Sequence, residues 1–229
     1  MAMAMAMRGV MVLVGMVVMA IMSQKIRAQF PIPARYDGFV YTQRSLPNPV
    51  LLEAFFDPLC PDSRDAWPVI KKLVEYYGTD LELILHTFPL PYHHNSFFSA
   101  RALHIVNRLN ASLTYPLLEL IFENQEIFSN SFTLQETPAS VIDRLISLAA
   151  RTYGQHLESG FESGFNDPST DQATRISFKY ACSRAVTGTP MFFVNGVNVQ
   201  GADQGWSYSD WRNLLDPIVN DNGNETAKF

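Results

Sequence analysis

The sequence predicts an α/β fold in which a β-α-β unit and a β-β-α unit enclose a block of helices. Three observations predict it. Two continuous apolar runs, "NPVLLEAFFD" and "DLELILHTFPL", flank a segment of helical character. Four stretches between about residues 96 and 186 carry apolar residues at spacings of three and four. Near the C-terminus, "MFFVNGVNVQ" alternates around Asn195-Gly196, a strong hairpin signal, and an amphipathic segment follows it.

Taken in order, residues 29–48 are rich in proline and aromatics and read as a lead-in, with a short strand at Phe39-Val40-Tyr41. "NPVLLEAFFD" opens the main domain, expected over residues 49–220, as a strand buried on both faces. "CPDSRDAWPVIKKLVEYYG" reads as a helix: Pro61 suits its first turn, Asp62 and Asp65 its positive end, and Gly78 its close. Pro68 is expected to kink it. A second buried strand follows, and strand-helix-strand at this spacing implies a right-handed parallel crossover. The helical insertion is expected at about residues 95–186, with Thr137-Pro138 capping one of its helices. After the hairpin, "YSDWRNLLDPIVN" reads as a helix capped by Ser209 and interrupted at Pro217, with residues 221–229 as a flexible tail.

Residues 1–28 read as a leader outside this globule. Arg8 precedes an apolar run from Gly9 to Met22, and a polar stretch follows. The run is shorter than the roughly 18 residues of a membrane span and fits the apolar region of a signal peptide. Val18-Met19-Ala20 and Ile26-Arg27-Ala28 are candidate cleavage sites. Eight of the nine methionines lie in this leader, and the first acidic residue of the chain is Asp37. An acid-free leader makes a mitochondrial transit peptide the rival, but such peptides are amphipathic and this core is apolar on every face. An uncleaved anchor is a third alternative. The expectation is therefore a secretory-pathway or extracellular protein, free of the membrane once the leader is cleaved. In that setting Asn110-Ala111-Ser112 and Asn224-Glu225-Thr226 are candidate glycosylation sites, though so short a pattern also arises by chance. Without the leader, 14 basic residues face 22 acidic ones, a net charge of −8. No basic stripe suggests a nucleic acid partner.

The chain has only two cysteines, Cys60 and Cys182, so a packed core must hold the fold. Cys60 stands where the first buried strand gives way to the helix. Helix N-termini present unpaired N–H groups and a positive dipole end, and both favour a thiolate, the nucleophilic form of cysteine. Ser63 lies one turn on, where its hydroxyl is expected to face the sulfur, while Asp62 and Asp65 oppose a second negative charge. The plain alternative is a buried small hydrophobe, but the carboxyl ends of strands in an open α/β sheet are where ligands bind. "TGTPMFFVNG" adds a candidate cis-proline turn at Pro190. Such a turn would set the backbone of Thr189 beside the cysteine for an extended substrate to pair with.

The order of elements is the thioredoxin arrangement with helices inserted in its middle. The chain resembles the thioredoxin superfamily, and within it the DsbA-like proteins, in "LLEAFFDPLCPDS", in Pro68, in "FPLPYHHNSFFSARAL" and in "GTPMFFVNG". The resemblance implies that Cys60 matches the nucleophile and Pro190 the cis-proline. It places Glu53 close to the family's buried proton-transferring acid, one residue out of register. It also implies protein thiols or disulfides as partners and no tightly bound cofactor.

The departure is Ser63, which stands where the family has its resolving cysteine. A hydroxyl cannot attack a mixed disulfide, so the remaining chemistry is that of a single thiol. Glutathione, as a candidate co-substrate, or a client thiol would then resolve the intermediate. Cys182 as a partner for Cys60 is the minority expectation, because a disulfide needs Cα atoms within about 7 Å. His86, His93 and His94 do not form a recognised metal-ligand set, and His93 and His94 read as a solvated loop. Two other readings stay open: a binding or chaperone module with an inert cysteine, and a glutathione transferase of the kappa type in which Ser63 activates bound glutathione.

Overall fold

The computed structural model describes residues 32–41 and 48–226. The expected leader at 1–28, residues 29–31 and 42–47 of the lead-in, and residues 227–229 lie outside the described residues. The elements run β1 (Phe39–Val40), β2 (Val50–Phe56), α1 (Pro61–Tyr77), β3 (Leu81–Thr87), α2 (Ser96–Leu109), α3 (Thr114–Glu123), α4 (Pro138–Tyr153), α5 (Glu158–Asn166), α6 (Pro168–Ser183), β4 (Met191–Val194), β5 (Val197–Asn198) and α7 (Tyr208–Thr226). The strands form one sheet in the order β1-β3-β2-β4-β5. β2 runs parallel to β3, while β1 and β4 join antiparallel on either side of that pair.

The α/β expectation holds, with β-α-β first, five helices next and β-β-α last. β3 is buried at every position and β2 at all but Leu51, because helices cover both faces of the sheet. Leu52, Ala54 and Phe56 face the main core with Trp67, Ile70, Leu73 and Trp211. Phe55 points the other way, into a smaller cluster that includes Cys60. Two polar contacts fasten α1 to the inserted block: Trp67 Nε1 and Lys71 Nζ both donate to Glu119 Oε1 on α3.

Local signals explain the turns. Asn195 and Gly196 have φ of 49° and 83°, the left-handed pair that a tight hairpin requires. Asn195 also exchanges bonds with the central strand, accepting from Leu51 N–H through Oδ1 and donating its own N–H to Leu51 O. Thr137 caps α4 by accepting the Ser140 N–H, with Pro138 opening the helix.

Three details differ from expectation. α7 is not interrupted at Pro217, and it runs to Thr226, so residues 221–226 are helical rather than part of a loose tail; α1 also continues past Pro68. Both prolines are exposed, and so are Arg64 and Asn213, whose carbonyls each proline leaves without a donor. At exposed positions such carbonyls can be solvated, so the lost bond does not force the helix to end. The cap of α7 is Ser207 rather than Ser209: Ser207 Oγ accepts the Asp210 N–H while Asp210 Oδ2 accepts the Ser207 N–H.

His104 on α2 is buried against Phe39, with Nε2 3.2 Å from Ser177 Oγ and 3.4 Å from Thr87 Oγ1. Burial pushes its pKa down from 6.5 to about 4, against the pull of Asp37. A folded-state value below the unfolded one means that the folded protein resists protonation. The stability this confers is present above pH 6.5 and is lost as pH falls towards 4, about 3 kcal/mol in all. Urea midpoints measured across that range should fall steeply for the native chain and far less for His104→Gln. Parallel curves would refute the assignment.

Candidate active site at the head of the first helix

β2 ends at Phe56, residues 57–59 turn, and Cys60 caps α1 with extended backbone (φ −77°, ψ 122°). Pro61 follows at the first helical position, where a missing N–H costs nothing. The Cys60 residue is 4% exposed and packs among Phe55, Phe88, Leu90, Ala181, Val186 and Phe193. Its Sγ donates to Thr189 O at 3.3 Å. The Thr189–Pro190 bond is cis. Thus the structure brings together Cys60, Thr189 and Pro190, although 129 residues separate the first two.

Ser63 is fully buried at the same turn, but it does not engage the sulfur. Its Oγ accepts the Asp57 N–H at 3.3 Å, which locks the strand-to-helix turn. In the resting thiol the expected contact between hydroxyl and sulfur is not made, and the hydroxyl oxygen instead fixes the main chain at the strand end.

Asp57 carries more of this turn than the sequence indicated. It is fully buried, and its carboxylate accepts from Leu59 N–H, Ser96 Oγ, Leu90 N–H and His93 Nδ1. His93 lies 2.7 Å from Asp57 Oδ2, with its side chain 22% exposed, so it is part of the site and not a solvated loop residue. Gln125, from the inserted block, donates Nε2 to both Pro58 O and Cys60 O at 3.0 Å. The sequence contained one hint, an aspartate closing an apolar strand just before a cysteine. It contained nothing to say which loop would fold over it.

Glu53 is buried on the Phe55 side of β2. Burial alone would raise its pKa, but hydrogen bonds from His86, Tyr36 and Tyr180, with the charge of Arg184, outweigh this and hold it at about 2. Tyr36 and Tyr180 each donate to Oε1 at 2.7 Å. His86 lies with Nδ1 2.9 Å from Asp37 and Nε2 3.4 Å from Glu53. For His86 burial lowers the pKa, and the two carboxylates more than offset this, so the value is raised. Glu53 thus sits at the centre of a buried polar network that ties β2 to Tyr180 and Arg184 and to Tyr36 of the lead-in.

Cys182 is exposed and Cys60 is buried, and both are free thiols. The helix explains the separation: Ala181 points into the Cys60 cluster, and one residue on, about 100° around α6, Cys182 points to solvent. The 60–182 disulfide is therefore not present. Asn110 is exposed at the end of α2, its Oδ1 accepting from Ser112 N–H and Oγ. Asn224 falls in the last turn of α7. Among the described residues no three His, Cys, Asp or Glu side chains are grouped to hold a metal ion. None of the described helices is long and apolar enough to cross a membrane.

Two cavities flank the head of α1. One of about 550 Å³ is lined by Asp62, Asp65, Val69, Pro190, Trp206 and Trp211, among others. The other, about 480 Å³, is lined by residues that include Leu59, Pro61, Arg64, His93, Gln125 and Ser131.

Comparison with known proteins agrees with this architecture. The family described as Thioredoxin matches residues 47–217. A proposed protein-disulfide isomerase from Pseudomonas syringae superposes with a TM-score of 0.62 at 22% identity, covering 81% of this chain and 97% of its own. The thiol-disulfide exchange protein alpha-DsbA2 from Wolbachia pipientis gives 0.62 at 15% identity, covering 79% and 87%. A double cysteine-to-alanine variant of alpha-DsbA1 from Wolbachia pipientis gives 0.64 at 15% identity, covering 86% and 96%. No curated protein sequence matches the chain. A sheet of order β1-β3-β2-β4-β5, a cysteine capping the first helix and a cis-proline against its sulfur, with helices inserted between the two halves, place this chain in the thioredoxin family with a DsbA-like fold.

Proposed function

We propose that the protein exchanges thiols and disulfides on client proteins through Cys60 alone. The observation that carries this reading is the 3.3 Å contact between Cys60 Sγ and Thr189 O beside cis-Pro190. In the resting thiol that carbonyl holds the S–H proton. On ionisation the contact loses its proton, and the sulfur is left as the nucleophile at the N-terminus of α1. Thr189 is then free to pair with an extended client. The thiolate attacks one sulfur of a client disulfide, forms a mixed disulfide, and expels the other sulfur as a thiolate. Ser63 cannot displace the client, so an external thiol, from glutathione or from the client itself, completes the cycle. Structural relatives described as thiol-disulfide exchange proteins support the reaction class.

The leader at 1–28 directs the chain to the secretory pathway in this reading, with Asn110 and Asn224 available for glycosylation; a mitochondrial address is the alternative. The transferase reading receives no support, since Ser63 is buried and bonded to the Asp57 N–H. One observation favours the inert binding module: the cysteine residue is only 4% exposed.

Treatment with glutathione disulfide, followed by intact-mass and peptide analysis, separates these readings. Cys60 should take up glutathione and be labelled in the native chain and in Cys182→Ala, and Cys60→Ala should exchange no client disulfide. Labelling confined to the exposed Cys182 would leave the binding module.

A further inference from the structure

Resting on the single-thiol reading above, we propose that the cavity of about 480 Å³ between the head of α1 and the inserted helices binds the resolving thiol. The ligand is a small, carboxylate-bearing thiol of the glutathione class, and His93 accepts its proton.

The two cavities lie on different faces of α1. Asp62, Asp65, Ala66 and Val69 share one face with Pro190, the client side. Leu59 and Pro61, which bracket Cys60 in sequence, line the other together with Arg64. A client held at Pro190 therefore leaves this second flank open. Its volume suits a small ligand.

Three wall groups define what fits. Arg64 engages the largely exposed Asp65 through Nε at 2.8 Å. Such a surface pair contributes little, and the terminal N–H groups remain for a ligand carboxylate. Gln125, nine-tenths buried, uses Nε2 on Pro58 O and Cys60 O, which fixes Oε1 as an acceptor with no partner among the described residues. A ligand amide N–H would fill that vacancy in its bonding. His93 gives Nδ1 to buried Asp57 at 2.7 Å. Because that partner is an acceptor, Nδ1 carries the proton, and the neutral ring leaves Nε2 as an acceptor for the ligand S–H.

The chemistry balances without an added oxidant. The ligand S–H passes its proton to His93 Nε2, and the thiolate attacks Cys60 Sγ. A new S–S bond forms, and the bond from Cys60 to the client breaks with its electron pair on the client sulfur. The client leaves as a thiolate and takes up the proton. A second glutathione thiolate then attacks the glutathione sulfur, giving glutathione disulfide and the Cys60 thiolate.

The test starts from full-length protein carrying a preformed mixed disulfide between Cys60 and a cysteine peptide. Peptide release is timed with reduced glutathione and with 2-mercaptoethanol. Release should saturate with glutathione and rise linearly with 2-mercaptoethanol. His93→Asn retains a donor for Asp57 but lacks Nε2; it should slow release by glutathione roughly a hundredfold and leave release by 2-mercaptoethanol much less affected. Arg64→Ala should raise the half-saturating glutathione concentration roughly tenfold, and Ser131→Trp, which fills the cavity, should remove saturation. These two variants decide the matter if His93→Asn does not fold. Linear release by glutathione, unchanged by Arg64→Ala and Ser131→Trp, would overturn the proposal. Failure to form the mixed disulfide on Cys60 would instead overturn the exchange reading itself.

Discussion

Ser63→Cys is expected to convert a persistent mixed disulfide on Cys60 into a transient one. Residues 60 and 63 are the cap and third position of α1, adjacent across its first turn. Positions three apart on a helix stand within disulfide reach. Serine and cysteine differ little in size, and position 63 is fully buried, so the substitution keeps the packing. It gives up the bond from Asp57 N–H to Ser63 Oγ, a modest loss of about 1 kcal/mol. In exchange, the second thiol attacks the mixed disulfide within the molecule, where effective concentrations far exceed those of free thiols. The lifetime of the glutathione adduct, followed by mass spectrometry without added thiol, should fall roughly a hundredfold or more. An internal 60–63 disulfide should replace it. An equally long-lived adduct would show that the side chain at position 63 cannot turn towards the sulfur, and that the missing cysteine is not what makes this site monothiol.

Glu53→Ala is expected to be the most damaging single change outside the site. Glu53 is 1% exposed and accepts from Tyr36 and Tyr180, with Arg184 and His86 at 3.4 Å. Removing it leaves two hydroxyls, His86 and the Arg184 guanidinium without their shared acceptor. Breaking a buried ionic network by deleting one partner costs about 3–5 kcal/mol, which for a chain of this size lowers Tm by roughly 10 °C. Acid behaviour supplies a second reading of the same network. The carboxyl is depressed from 4.5 to about 2, so its contribution is present above pH 4.5 and disappears as pH falls towards 2. The native chain should lose stability through that window, and Glu53→Ala should lack this step. Full thermal stability of Glu53→Ala would mean the network contributes nothing net.

The sequence revealed the frame of the site but not its polar lining. Cys60 was legible because an apolar strand stops at Asp57-Pro58 and a helix opens at Pro61, both local signals. Pro190 was legible from its place before an alternating strand, and the hairpin from Asn195-Gly196. Asp57 and His93 were not, because they meet across 36 residues and hydrophobic periodicity reports only inside or outside, never which buried polar groups face each other. Tyr180 and Glu53 meet across 127 residues, and Tyr36 comes from the lead-in, where no period exists. Cys182 turned on a single step of helical phase. Both it and Ala181 are small enough to sit inside, and pattern alone did not choose between them.

Gln125 gives the inserted helices a hold on the reactive loop. One amide grips the main chain on both sides of Leu59, and so anchors the backbone of the nucleophile to a segment that the core sheet does not include. Loosening that segment would unseat the sulfur while the strands stayed paired. Heat or a destabilising substitution in the block should therefore silence the thiol before the sheet melts, and the block serves as a fuse for the chemistry as well as a wall for its cavity.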